Sequence, residues 1–427
     1  MIYCKRCLYP ANHPLGLVFD EEGVCSGCRV HEEKDSLDWA ERGRRLQAIL
    51  AGYRGRAGHR FDCIVPVSGA GDSWFIVDLV KRVHGMNPLV VSYNRHYNTK
   101  RGIRNLAYLR ASLDVDYLQK VVAPQTVKRV IRETLERRGS FHWHAIAGQT
   151  VWPVQVAVKL KIPLIVWGHH QGLDQVGMFS HTDEVEMTRK YRMEHDLMGL
   201  EAEDLIGGAK GLSESDLVPW IYPHDRELAE VGVRGIYLGN FVRWDTKAQH
   251  ERMLDRYGYE TAAQARTFDT YSDVDCLHYS GLHDWVKLAK WGYGKVTDHA
   301  SREIRLCRMS REDGIAMVAA HQNREAPDKP AFLAWAGISE ADFESCVDRF
   351  RDSAIWRKDA DGTWQLLDSI ANHSGEPGVD AARLERREAI CEFRLTGSKD
   401  PDADETRPVL MARGHVDAYP VRSVIGS

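Results

Sequence analysis

The sequence predicts an α/β fold: a doubly wound parallel sheet, preceded by a cysteine-bearing knot and followed by a mainly helical region. Three observations lead there. Short runs rich in Val and Ile, at 63–67, 89–93, 117–122 and 162–166, have the length and composition of strands buried on both faces. Apolar residues with helical spacing lie between them: Ile76, Leu79, Val80 and Val83, then Val127, Val130, Ile131 and Leu135. Four of the nine cysteines stand in two tight pairs near the N-terminus. Strands alternating with helices are the pattern of βαβ units, so the sheet is expected to be parallel.

The pattern divides the chain into five segments. Residues 1–30 form the cysteine knot and 31–57 a polar, helical connector. Residues 58–249 hold the strand–helix alternation. Residues 250–357 read as helical, with clear runs at 283–291 and 311–321. In 358–427 Pro, Gly, Asp and Glu gather at 375–379 and 398–407, which predicts a weakly ordered extension.

Composition narrows the function classes. With 427 residues, 43% of them hydrophobic and 28% charged, the chain can build more than one core of ordinary soluble type. A net charge of −4 without a basic stripe argues against nucleic acid as a partner. No apolar run reaches the roughly 18 residues of a membrane span. The start, Met1-Ile2-Tyr3-Cys4, lacks the charged head and apolar core of a secretory leader. The expectation is a cytoplasmic protein with reduced thiols.

Cys4-x-x-Cys7 and Cys25-x-x-Cys28 are separated by 17 residues, the spacing of a four-thiolate zinc site. Each pair can clasp one side of a tetrahedral ion, and the stretch between them is too short to build a core without metal. A closed site of this kind is structural; an iron–sulfur cluster is the alternative.

The run Ser68-Gly69-Ala70-Gly71-Asp72-Ser73 joins the first strand to the first helix. Such a loop aims backbone N–H groups and the positive end of a helix dipole at one point, which suits a phosphate. Ser68 and Ser73 can add hydroxyl donors, and Asp72 implies a Mg²⁺ ion between carboxylate and nucleotide. A plain turn with Asp72 or Ser73 as helix cap fits the same residues.

The loop resembles the SGGxDS loop of the PP-loop ATP pyrophosphatases, the adenine nucleotide α-hydrolase-like group. Over about residues 1–357 the chain is similar to the N-acetyl sugar amidotransferases of bacterial surface-polysaccharide pathways. The likeness runs through the cysteine pairs, the loop, Trp167-Gly168, Gly177-Met178-Phe179-Ser180, the stretch 232–240 and the stretch 298–305. Two residues depart from the family pattern: Ala70 replaces a Gly and Gly71 replaces a Lys. Restoring that lysine is expected to strengthen ATP binding. His169 stands where the family tends to be acidic.

The resemblance implies that ATP adenylates an acetamido carbonyl on a nucleotide-linked sugar. Ammonia then displaces AMP to leave an acetamidino group. It assigns ATP to the 68–73 loop, with Asp72, Ser68 and Ser73 in catalytic roles, and the adenine to Tyr93 and Asn94 at the end of the second strand. Substrate contacts are expected from Trp167, His169, Asp298, His299, Arg302 and Arg305. The last three would share a helix face, unless they serve only in salt bridges there. Glu184, Glu186, Glu194 and Asp196 read as a solvated acidic stretch. No glutaminase nucleophile is evident, so ammonia is expected from a separate glutaminase through a barrel-like channelling subunit. Two other readings remain: a tRNA-thiolating enzyme with Cys63, Cys276 or Cys307 as sulfur carrier, and a non-catalytic ATP-binding partner.

Overall fold

The computed structural model describes residues 2–58 and 60–376, and one further strand pair at Arg394–Leu395 and Arg407–Pro408. Five parallel strands make the central sheet: β1 (Cys63–Pro66), β2 (Pro88–Tyr93), β3 (Asp116–Lys120), β4 (Leu164–Trp167) and β5 (Arg234–Tyr237). Their spatial order is β3-β2-β1-β4-β5. Successive strands are added outward from β1 on one side, and then from β4 on the other. The chain therefore leaves β1 and β4 in opposite directions, and the crevice at their carboxyl ends is where such sheets receive ligands. The fifth strand went unrecognised in the sequence because Arg-Gly-Ile-Tyr is short and contains a glycine, which weakens any strand pattern.

Alternate strand residues feed two cores, as the two-residue period of a strand requires. Val65, Val90, Val166 and Ile236 meet helices α2 (Trp39–Tyr53), α3 (Gly71–Asp78) and α4 (Lys100–Leu113), with Leu50, Val77 and Leu109 among the contacts. Their neighbours Ile64, Val91 and Ile165 face Val151, Val154 and Ala157 of the long helix Trp143–Leu160 on the opposite side. The 31–57 connector is helical as expected, formed by α2 and the helix before it, α1 (Ser26–Ser36). One predicted stripe fails at its end. A π turn at Leu79–Val83 follows α3, and its wider winding rotates the chain so that Val80 stays buried while Val83 is 64% exposed.

Numbering continues with α5 (Pro124–Arg138) and α6 (Trp143–Leu160). The β4–β5 crossover carries four short helices, α7 (Gln171–Asp174), α8 (Arg189–Tyr191), α9 (Glu214–Leu217) and α10 (Asp225–Val231). The region after β5 is helical: α11 (Thr246–Tyr257), α12 (Leu277–Trp291), α13 (Lys295–Arg305), α14 (Arg311–His321), α15 (Lys329–Ala336) and α16 (Glu340–Asp348). Tyr279, Phe332 and Phe343 from this region join Val130 and Phe141 in a third core. Among the described residues no helix is long and apolar enough to cross a membrane.

The predicted extension begins too early. Its boundary at 358 falls within a hairpin of β6 (Trp356–Lys358) and β7 (Trp364–Leu366), whose Trp356 and Trp364 rings lie 4.7 and 5.2 Å from the Arg351 guanidinium. Ile370 then enters a core with Val296 and Ile315. Composition cannot reveal such contacts across the chain. Most of the remaining extension, from 377 onward, lies outside the described residues.

The acidic stretch is not a solvated face. Glu186 bonds Arg234 at 2.6 Å, and Glu184 pairs with Arg45. Burial near Tyr191 and Tyr237 pushes the Asp196 carboxyl up to about 7, partly offset by Arg192. An unfolded Asp titrates near about 4. Between these values the folded state holds a proton that the unfolded state has lost, so this group makes stability fall as pH rises. Asp196→Asn is therefore expected to flatten the decline of the melting temperature between about pH 4 and about pH 7. Identical slopes for variant and wild type, followed by calorimetry, would contradict the assignment.

Candidate active site

The loop after β1 turns on a glycine. Gly69 takes φ +92°, and Ala70 caps α3 without a side-chain bond. The buried Ser73 hydroxyl accepts the amides of Ser68 (3.0 Å) and Gly69 (3.3 Å), so Ser73 braces the loop from beneath. Ser68 Oγ accepts the Ala70 amide at 3.2 Å. Asp72 is 34% exposed, and its Oδ1 makes no hydrogen bond among the described residues.

Two histidines flank Asp72. His169, just beyond β4, has Nε2 at 3.8 Å from Asp72 Oδ2, and its ring lies parallel to Trp244 at 5.2 Å. Its Nδ1 bonds Asp174 Oδ2 at 2.6 Å, while Lys34 of α1 holds the other Asp174 oxygen at 2.5 Å. His250 of α11 has Nε2 at 3.5 Å from Asp72 Oδ1 and Nδ1 at 2.8 Å from Tyr259 Oη. Burial would push the Asp72 carboxyl up, but His250, His169 and Arg302 outweigh it and hold it below the usual range. Burial likewise opposes protonation of His169, and the Asp174 and Asp72 carboxylates overcome it, raising its pKa.

Behind His250 stands a second set. The Tyr271 ring lies 4.3 Å from the His250 ring, and its hydroxyl accepts from Arg302 at 3.0 Å. Arg302 also bonds Asp269 Oδ2 at 2.9 Å, and His299 Nδ1 lies 2.7 Å from Thr267 Oγ1. His299 and Arg302 thus sit on the loop-facing side of α13. Arg305 does not. Each residue of an α-helix turns the direction by about 100°, so two steps of three drift about 120° in all. Arg305 shares its face with Asp298, seven residues earlier, which pairs with Lys287.

That other face meets the cysteine knot. The four Sγ atoms lie within 4.8 Å of one another, with Cys7–Cys25 at 3.6 Å and Cys4–Cys28 at 4.0 Å. Zn–S bonds of about 2.3 Å in a tetrahedron put sulfurs about 3.8 Å apart. Backbone amides of Cys7 (3.4 Å) and Cys25 (3.3 Å) point at Cys4 Sγ, as they do toward thiolates. The spacing suits one ion; the irons of a cluster would force the sulfurs farther apart. Arg305 brings Nε to 3.4 Å from Cys28 Sγ and a terminal nitrogen to 3.4 Å from Cys25 Sγ. Its other terminal nitrogen donates to the carbonyls of Asp174 (2.9 Å) and Gln175 (2.7 Å). A Cβ at Gly27 would strike both that guanidinium and Gln175 O, at 2.4 Å each.

Several predicted contacts lie elsewhere. The Tyr93 ring is buried against Gly148 of α6, and its hydroxyl joins His144 (3.2 Å) and Trp220 (3.1 Å), so it belongs to the core and not to an open adenine site. Asn94 shapes the next turn, its Oδ1 accepting from His96 N and Asn98 Nδ2. Trp167 packs on the α6 side of the sheet. Cys63 and Cys276 are buried and burial pushes both thiols up, which disfavours them as sulfur carriers; Cys307 is exposed. A lysine at 71 would have to displace the His250 ring, since a Cβ there would lie 1.4 Å from His250 Cε1. His250, Asp174, Lys34, Tyr271 and Asp269 carried no motif or spacing, because partners distant in sequence give each its place.

Residues 265–371 match the family model described as LPS biosynthesis protein WbpG-like, C-terminal domain. This stretch resembles that domain, called WbpG-like below. The match fits the polysaccharide amidotransferase family that residues 1–357 resemble. It covers Asp269, Tyr271, His299, Arg302 and Arg305, while the loop lies outside it. Among solved structures the chain is similar to the NMN synthetase from Francisella tularensis, with a TM-score of 0.26 and 11% identity, over 52% of this chain and 96% of that one. No curated protein matches the chain.

The knot leads to a direct expectation. Elemental analysis should find one zinc per chain, and Cys25→Ser should lose it. Chelation should lower the melting temperature of the wild type, because the WbpG-like domain and α7 both lean on the knot through Arg305. Metal-free wild type with an unchanged transition would rule the zinc site out.

Proposed function

We propose that the chain is an ATP-dependent, AMP-forming amidotransferase acting on a nucleotide-linked N-acetyl sugar in surface-polysaccharide synthesis. One observation carries the reading: Asp72, at the switch point of the sheet, keeps an unbonded carboxylate oxygen between two histidines, in a loop at a helix N-terminus. Mg²⁺ commonly binds through one or two carboxylates and the substrate's phosphates, and Asp72 fits that role. When bound, the ion would offset negative charge on the phosphates.

The chemistry is a double displacement. The acetamido oxygen attacks the α-phosphorus of ATP, the bond to pyrophosphate breaks, and an O-adenylyl imidate forms. Ammonia adds to the imidate carbon and AMP departs with the former acetamido oxygen, leaving an acetamidino group. The chain's own part is orientation and charge. The amides at the start of α3, beyond those of Ser68, Gly69 and Ala70 that already bond the Ser73 and Ser68 hydroxyls, would meet phosphate oxygens, and His169, held by Asp174, fixes one side of Asp72. Arg302 and His299 of the WbpG-like domain offer a cation and a donor near the sugar's side of the crevice. Ammonia is mostly protonated at neutral pH, which favours delivery from a partner glutaminase through a barrel-like subunit.

Asp72→Asn is expected to abolish Mg²⁺-dependent ATP binding in calorimetry while leaving the melting transition little changed. Wild type given ATP, an ammonium salt and a nucleotide-linked N-acetyl sugar should release AMP and pyrophosphate together and replace O by NH in the sugar. ATP turnover to ADP, or undiminished binding in the variant, would refute the reading.

A further inference from the structure

Position 71 has no side chain and no room for one. A Cβ there would stand 1.4 Å from Cε1 and 1.6 Å from Nδ1 of His250. The imidazole fills the space that a side chain at 71 would enter, and it is fixed on three sides. Tyr259 Oη lies 2.8 Å from Nδ1, the Tyr271 ring lies 4.3 Å from the imidazole ring, and Asp72 Oδ1 lies 3.5 Å from Nε2. Tyr259 is itself held by stacking on Trp74, with ring centres 5.1 Å apart. The His250 side chain is 2% exposed, so its aim does not wander.

Nδ1 and Tyr259 Oη share one hydrogen bond, and in the tautomer in which the phenol donates it the ring hydrogen lies on Nε2, directed at the carboxylate. At 3.5 Å that contact is longer than the 2.7–3.2 Å of a well-made N–H···O bond. That carboxylate oxygen has no hydrogen-bond partner among the described residues, so the long contact leaves both groups able to take a better partner placed between them.

We infer that His250 is the nucleotide-binding side chain that takes the place of a residue-71 side chain, its Nε2–H donating to a phosphate oxygen seated beside Asp72. The inference rests on the nucleotide reading proposed above. His250 and Gly71 then form one unit: the histidine requires the glycine, and a longer side chain at 71 requires the histidine to be gone.

The experiment is ATP titration of the full chain and five variants, each checked for an intact thermal transition. His250→Ala is expected to weaken ATP binding roughly ten- to a hundredfold, the loss of one hydrogen bond to a charged group. His250→Gln, which keeps an N–H, should lose less. Gly71→Ala and Gly71→Lys should each weaken binding by displacing the ring. Gly71→Lys/His250→Ala should bind ATP more tightly than either single change, because the ammonium gains the vacated space. A double variant no better than its singles, or a harmless Gly71→Ala, overturns the pairing. Wild type that binds no ATP would instead sink the nucleotide reading itself, and the His250 inference with it.

Discussion

A guanidinium buried against sulfur is costly unless the sulfur is charged. Arg305 touches Cys25 and Cys28 at 3.4 Å, and the thiols raise its pKa further against burial, which lowers it. Four thiolates around a divalent ion leave two negative charges, and Arg305 meets one of them from α13. The same side chain spends its remaining donors on the carbonyls of Asp174 and Gln175. The knot, the WbpG-like domain and the segment after β4 thus converge on one residue. Withdrawing it would leave the sulfur charge, the carbonyls and the domain contact unsatisfied together.

The consequence reaches Asp72 by a second path. α1, which carries Cys28, also carries Lys34, and Lys34 fixes the Asp174 carboxylate that orients His169. The cysteine knot therefore helps to fix the ring that faces Asp72. Hydrogen bonds run from the knot's sulfurs through Arg305 to Asp174 and on to His169, whose Nε2 lies 3.8 Å from Asp72.

The opposite flank is supplied from elsewhere. His250 belongs to α11, and the Tyr271, Asp269 and Arg302 set behind it belongs to the WbpG-like domain. Charge balance explains why both flanks are needed. Asp72 stays ionised against its own desolvation because the two histidines and Arg302 surround it, and neither the sheet nor the helical domain provides all three.

Local pattern was enough for much of this architecture. Val- and Ile-rich runs marked four of the five strands, the paired cysteines marked the knot, and small residues after β1 marked the loop, because each depends on neighbours within a few positions. Helical spacing alone misjudged α13, since His299 and Arg302 face the loop while drift carries Arg305 to the sulfurs. It also could not see that Tyr93 turns into the core or that Trp356 and Trp364 hold the chain past 358. Gly71 is the sharpest case. As a letter it reads as a lost lysine; in space it is the gap that His250 fills. Sequence by itself determined the elements and the loop, whose causes are local. Only the tertiary structure decided which distant side chains surround Asp72, because burial, charge compensation and steric exclusion exist only once those segments meet.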